Sequence, residues 1–154
     1  MQDQKFYITT SRYKIVHEIR VPTKMSDYDY DYIESGRRFI SFYLHTLTFY
    51  DIFTNVKIVE FSFPSESCAD IAFYLYKSLC GDADQKIIIP STKGCIELVF
   101  RFPTSSTFSI SVIENYRHHT DKINLFFNRG DVQDLINLLE IEIVDMYVLQ
   151  SSDR

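Results

Sequence analysis

The chain is predicted to be an α+β protein: two consecutive antiparallel strand-strand-strand-strand-helix units in one domain, 1–154, with units of roughly 5–81 and 86–150. Three observations predict this. Several runs of seven to ten residues alternate apolar and polar positions, as half-buried strands do. Two longer runs repeat their apolar residues at helical spacing, and each follows a group of strand-like runs. Finally, 45% hydrophobic and 16% aromatic residues beside only four Gly and four Pro describe a packed domain, and argue against a disordered or repeat-like chain.

The first clear strand is RYKIVHEIRV, 12–21, with Tyr13, Ile15, His17, Ile19 and Val21 on one face and Lys14, Val16, Glu18 and Arg20 on the other. Pro22 removes a ladder donor, so 22–36 reads as a loop. RRFISFYLHTLTFYDIF, 37–53, is apolar on both faces and reads as one long strand or as two strands broken near His45–Thr48. KIVEFSF follows as a strand with Val59, Phe61 and Phe63 inward. Ser67, three residues before Asp70, has capping-box spacing, which predicts a helix over 68–80 closed by Gly81. Cys68, Ile71, Ala72, Leu75 and Leu79 form its apolar face, and Phe73, Tyr74 and Tyr76 its other face, which predicts a homodimer contact there.

KIIIP, CIELVFRF, TFSISVIENY and KINLFF are the four strands of the second unit. Asn128-Arg129-Gly130-Asp131 ends the last one. Asp131 is the predicted N-cap of a second helix through Val132, Leu135, Ile136, Leu139, Ile143 and Met146. LEIEIVDMYV also alternates with period two, so a continued helix and a terminal strand both stand for this tail. Setting Val59 over Ile123 aligns the two strand-then-helix segments without a gap, with Phe63/Phe127, Asp70/Asp134 and Leu75/Leu139 identical.

The order of these elements resembles the Whirly and Pur families, whose fold is built from such units and which bind single-stranded nucleic acid across sheet surfaces. The Whirly family carries a Lys-Gly-Lys-Ala-Ala motif. The nearest run here is Lys93-Gly94-Cys95-Ile96-Glu97, which keeps its first two residues, so the resemblance implies a nucleic-acid contact at Lys93 alone.

Chemistry is constrained mainly by exclusion. Sixteen Lys plus Arg against twenty-one Asp plus Glu give a net charge of −5, without the basic surplus of duplex-DNA binders. The imbalance sits in 131–154, where six acids face only Arg154. No phosphate-loop, dinucleotide, zincin or nucleophile-elbow motif is present, so no cofactor is expected. His118, His119 and Asp121 lack metal-site spacing, and no metal or catalytic residue is assigned. A Cys95 nucleophile with His17 or His45 is outweighed by a reading of buried thiol and core or edge histidines. Cys68, Cys80 and Cys95, odd in number and without C-x-x-C spacing, read as buried reduced thiols in a cytoplasmic protein. No signal peptide or membrane-length apolar run is found, so no membrane partner is expected.

The most distinctive segment is Ser26-Asp27-Tyr28-Asp29-Tyr30-Asp31-Tyr32. It is not a calcium loop, since Tyr32 stands where Gly is required and Arg38 where Glu is required. If extended, it sets Asp27, Asp29 and Asp31 on one side and Tyr28, Tyr30 and Tyr32 on the other, a surface suited to a basic protein partner. The leading expectation is therefore a non-enzymatic protein-binding module of inhibitory, immunity or regulatory type. The alternative is a single-stranded nucleic-acid-binding protein, with Phe126 as a stacking ring and Lys14, Arg20, Lys93 and Arg101 along the backbone. An enzyme with a dispersed site is the third reading.

Overall fold

A computed structural model describes residues 4–20, 44–81, 84–91, 94–101 and 107–152. Its elements are β1 (Gln4–Thr9), β2 (Tyr13–Arg20), β3 (Leu44–Asp51), β4 (Lys57–Pro64), α1 (Ser65–Leu79), β5 (Gln85–Ser91), β6 (Gly94–Arg101), β7 (Phe108–Tyr116), β8 (His119–Phe127) and α2 (Arg129–Ser152). Two four-stranded antiparallel meanders, β1-β2-β3-β4 and β5-β6-β7-β8, are each followed by a helix. This is the predicted α+β architecture.

Each sheet has an inner face set by its alternation. Tyr13 and Ile15 of β2, Leu47 and Phe49 of β3, and Val59, Phe61 and Phe63 of β4 are buried together, and Ile19 of β2 is buried as well. Ile96, Leu98 and Phe100 of β6, Phe108, Ile110 and Val112 of β7, and Leu125 and Phe127 of β8 form the corresponding face of the second sheet. One apolar cluster joins both faces to Cys68, Ile71, Ala72 and Leu75 of α1 and Val132, Leu135, Ile136 and Leu139 of α2. The residues matched by the internal repeat take equivalent places: Phe63 and Phe127 end the fourth strands inward, and Leu75 and Leu139 are fully covered.

Two expectations about elements need correction, one strand lies in no predicted run, and the open alternatives are settled. β1, an edge strand whose Phe6 and Ile8 pack on the core, is assigned to no run by the sequence reading. β3 is continuous through His45–Thr48: Thr46 and Thr48 bond across to Ser62 and Glu60 on the outer face, and His45 lies inside the sheet, so these polar residues belong to a strand and not to a break. α1 starts at Ser65, directly after Pro64 of the edge strand β4, with Pro64 at the N-cap position and no side-chain cap. Ser67 is thus inside the helix. At α2 the cap is Asn128, whose Oδ1 accepts the Asp131 N–H at 2.8 Å, while the Asp131 carboxylate accepts the Ser11 hydroxyl at 3.0 Å. The helix then continues to Ser152, which decides the tail against a terminal strand.

Two glycines act through their backbone. Gly81 closes α1 at φ +88°. Gly94 opens β6 at φ +154°, where a Cβ would overlap the Asn115 carbonyl oxygen of β7.

Candidate functional site

The outer face of the second sheet alternates with its core-facing residues. Register places Arg101 of β6 opposite Ser109 of β7, and Ser109 opposite Phe126 of β8, so these three form one cross-strand row. The next row holds Lys86, Val99, Ser111 and Asn124, and the one after it Ile88, Glu97, Ile113 and Lys122. Ser111 donates to the Asn124 amide oxygen at 2.6 Å. Ser109 and Ser111 are themselves buried in the middle of the face, and Phe126 lies half-buried at one edge.

Phe126 is held from outside its sheet. β8 is an edge strand, so part of its backbone lacks a strand partner. The Phe126 N–H donates to the Tyr13 hydroxyl of β2 at 2.9 Å. The neighbouring Arg12, exposed in the turn between β1 and β2, lies over the Phe126 ring, 5.8 Å from guanidinium carbon to centroid. Arg12 is a member of this site that the sequence reading misses; its only sequence signal is a position beside the strand that starts at Tyr13. Arg101 pairs with Asp84 at 3.2 Å and Lys86 with Glu97 at 3.5 Å, both on exposed surface where such pairs are weak and exchangeable.

The outer face of the first sheet is a second aromatic and basic surface. Thr9, Lys14, Tyr50 and Lys57 share one row, and Lys14 Nζ stands 5.2 Å from the centroid of Tyr7, a ring that is 66% exposed. Arg20 lies at the far end of β2 beside Glu18. The structure therefore separates the predicted nucleic-acid residues: Lys14 and Arg20 are on the first sheet, Arg101 and Phe126 on the second. Lys93 lies outside the described residues, as does the whole Asp27, Tyr28, Asp29, Tyr30, Asp31, Tyr32 segment.

The predicted contact face of α1 needs one correction. Phe73 and Tyr76 are each 55% exposed, but Tyr74 is half-buried against the core, because it lies one turn after the buried Ile71, beside the apolar stripe. Cys68 is buried as expected, whereas Cys80 is exposed beyond the last turn of α1 and Cys95 is half-buried on the outer face of β6.

His17 and His45 are core residues. His17 Nε2 and His45 Nδ1 are 2.8 Å apart, and His45 Nε2 is 2.8 Å from the Ser65 hydroxyl. Burial lowers the pKa of His17 to about 4, and burial with the neighbouring His17 lowers that of His45 to about 3, so both rings are neutral at pH 7. They do not meet Cys95, which is in the other sheet beside Asn115. At the β7–β8 hairpin, His118 is in the turn and His119 pairs with Asp121 at 2.9 Å, both exposed. No helix among the described residues is long and apolar enough to cross a membrane.

No family model and no curated protein sequence matches the chain. The structure of the plant transcriptional regulator PBF-2 is similar to it, with a TM-score of 0.55 and 16% identity, over 99% of this chain and 88% of that one. This likeness shows the fold. It supports the two-unit arrangement that the Whirly and Pur resemblance implies.

Proposed function

We propose that the protein binds single-stranded nucleic acid across the outer face of its second sheet. The observation that carries this reading is the Phe126 ring, half-buried at a sheet edge beneath Arg12 and in one cross-strand row with Arg101. A base needs a flat apolar surface to stack on, and its phosphates need cations within a nucleotide's reach. The exposed Asn124 would supply a hydrogen bond to a base edge or sugar between them. The net charge of −5 does not oppose this, since the acidic surplus is carried by 131–154 and the face itself holds Arg12, Lys86, Arg101 and Lys122 against Asp84 and Glu97. PBF-2 is a transcriptional regulator, a role consistent with nucleic-acid contact on this fold.

The test is a titration of fluorescent single-stranded DNA and RNA at low and moderate salt, with duplex DNA as the competitor. Micromolar or tighter binding that falls as salt rises supports the reading. No binding at low salt overturns it.

A protein-binding role is the second reading, and it is favoured by the exposed Phe73 and Tyr76 one turn apart on α1. In this reading the face pairs with a second copy as a homodimer, and a protein partner with a basic surface is met by Asp27–Tyr32. Light scattering reads the first: a monomer at high concentration removes it. Triple substitution of Tyr28, Tyr30 and Tyr32 reads the second, since unaltered partner capture removes the segment as a site. In either reading the protein is a single-domain cytoplasmic binder and not an enzyme.

A further inference from the structure

The inner side of the first sheet holds a set of groups that nucleic-acid binding does not use. His17 of β2, His45 of β3 and Cys68 of α1 are each fully buried, and one donor atom of each lies within 4.8 Å of the other two. It is the one such group of three among the described residues. The sequence spreads these residues over 51 positions and across three elements, so no motif reveals them.

Their hydrogen bonds leave one atom over. With His17 Nε2–H donating to His45 Nδ1, and His45 Nε2–H to the Ser65 hydroxyl, His17 Nδ1 is a bare lone pair; that atom is buried with no hydrogen-bond partner. The reverse direction leaves the same atom as an unmatched N–H. A buried polar atom without a partner is costly, and sheets seldom keep one without a reason. The same two imidazoles and the Cys68 thiol each bring one donor atom to this group, which is the chemistry of a soft-metal site. The Ser65 hydroxyl stands where an outer partner of a ligating histidine is usually found.

We propose that His17, His45 and Cys68 form a binding site for one Cu(I) ion. Charge selects the ion. Two neutral imidazoles and one thiolate sum to −1, so a monovalent cation makes a neutral centre, whereas Zn(II) would leave +1 in a pocket whose donor set has no carboxylate. Binding replaces the Cys68 proton, which leaves to solvent, by a sulfur–copper bond, and replaces the His17–His45 hydrogen bond by a nitrogen–copper bond to each ring while His45 Nε2–H stays on Ser65, with no change of oxidation state. At bond lengths of about 2.0 Å to nitrogen and 2.3 Å to sulfur, donors sit about 3.5 Å apart, so the pocket closes on an ion with shifts of about 1 Å. The ion would tie α1 to β2 and β3.

The test is an anaerobic titration of Cu(I) against a chromophoric Cu(I) chelator, using Cys80→Ser/Cys95→Ser protein so that the other thiols do not compete. One Cu(I) withdrawn per chain, lost in Cys68→Ala, and X-ray absorption of the bound ion showing both sulfur and imidazole nitrogen, is the expected result. The spectrum needs no core variant, so a misfolded Cys68→Ala protein does not blunt the test. No copper withdrawn from the chelator, a spectrum without sulfur, or tighter binding of Zn(II) than of Cu(I) in the same competition format overturns the proposal. Oligonucleotide titration of the copper-free protein reads the other face separately.

Discussion

Tyr13 and Phe126, on different sheets and 113 positions apart, are joined by a 2.9 Å hydrogen bond from the Phe126 backbone N–H to the Tyr13 hydroxyl. The Tyr13 ring packs at the same time on Phe49 of its own sheet and on Phe127 of the other. The phenol thus closes the seam between the two units with an apolar body and a polar tip. Replacing Tyr13 by Phe keeps the packing and strands an edge-strand donor, so stability is expected to fall by about 1 kcal/mol. Urea unfolding checks it: the midpoint should move with the slope unchanged.

The same seam sets the proposed interface. Phe126→Ala should weaken oligonucleotide binding by about 5- to 150-fold, the range of about 1–3 kcal/mol for one stacked base. Arg101→Gln should weaken it less and lower the salt slope by about 0.7, one phosphate contact on a single strand. Arg12→Gln should do the same. A Phe126→Ala protein that binds as the wild type does would move the interface off this sheet, with the Tyr7–Lys14 surface next to examine.

What the sequence reveals and hides follows from the range of the interactions. β2, β4, β6 and β7 are legible because apolar residues alternate along them with polar or small ones, even in β7, where the alternating Ser109 and Ser111 are buried as well. β1 is hidden because only Phe6 and Ile8 mark its inner side, too few for a pattern. Whether β3 breaks at His45–Thr48 stays open in the sequence because the partners of His45, His17 and Ser65, are 28 and 20 positions away. The site was half legible: Phe126 and Arg101 stand out on their strands, but Arg12 joins them only when the β1–β2 turn is laid against β8. The order of the elements carries the family resemblance, and of the Lys93-Gly94 pair the described role of Gly94 is geometric.

Gly94 gives a backbone prediction. At φ +154°, with the Asn115 carbonyl pressed against the place of a Cβ, Gly94→Ala meets both strain and overlap. A loss of about 1–3 kcal/mol is expected, as for a residue forced into a conformation L side chains rarely adopt. Thermal melting checks it, and amide exchange should show faster exchange at the Gly94–Tyr116 end of the β6–β7 pair than at the Arg101–Ser109 end. An unchanged melting temperature would mean that β6 can start one residue later without penalty.

The buried histidines give a pH dependence in the metal-free protein. Folding lowers the His17 pKa to about 4 and the His45 pKa to about 3, from 6.5 for each. Between pH 6.5 and about 4 the unfolded chain therefore binds more protons than the folded one, and stability rises with pH. The full contribution is present above pH 6.5 and is lost as pH falls. Two protons taken up on unfolding correspond to a slope of about 2.7 kcal/mol per pH unit at its steepest. Urea unfolding at pH 7, 6 and 5 reads this slope directly. In His17→Leu/His45→Leu, which removes both partners and leaves no half-made hydrogen bond between them, the curve should flatten over the same window. An equally steep curve in that variant would assign the acid sensitivity to other groups.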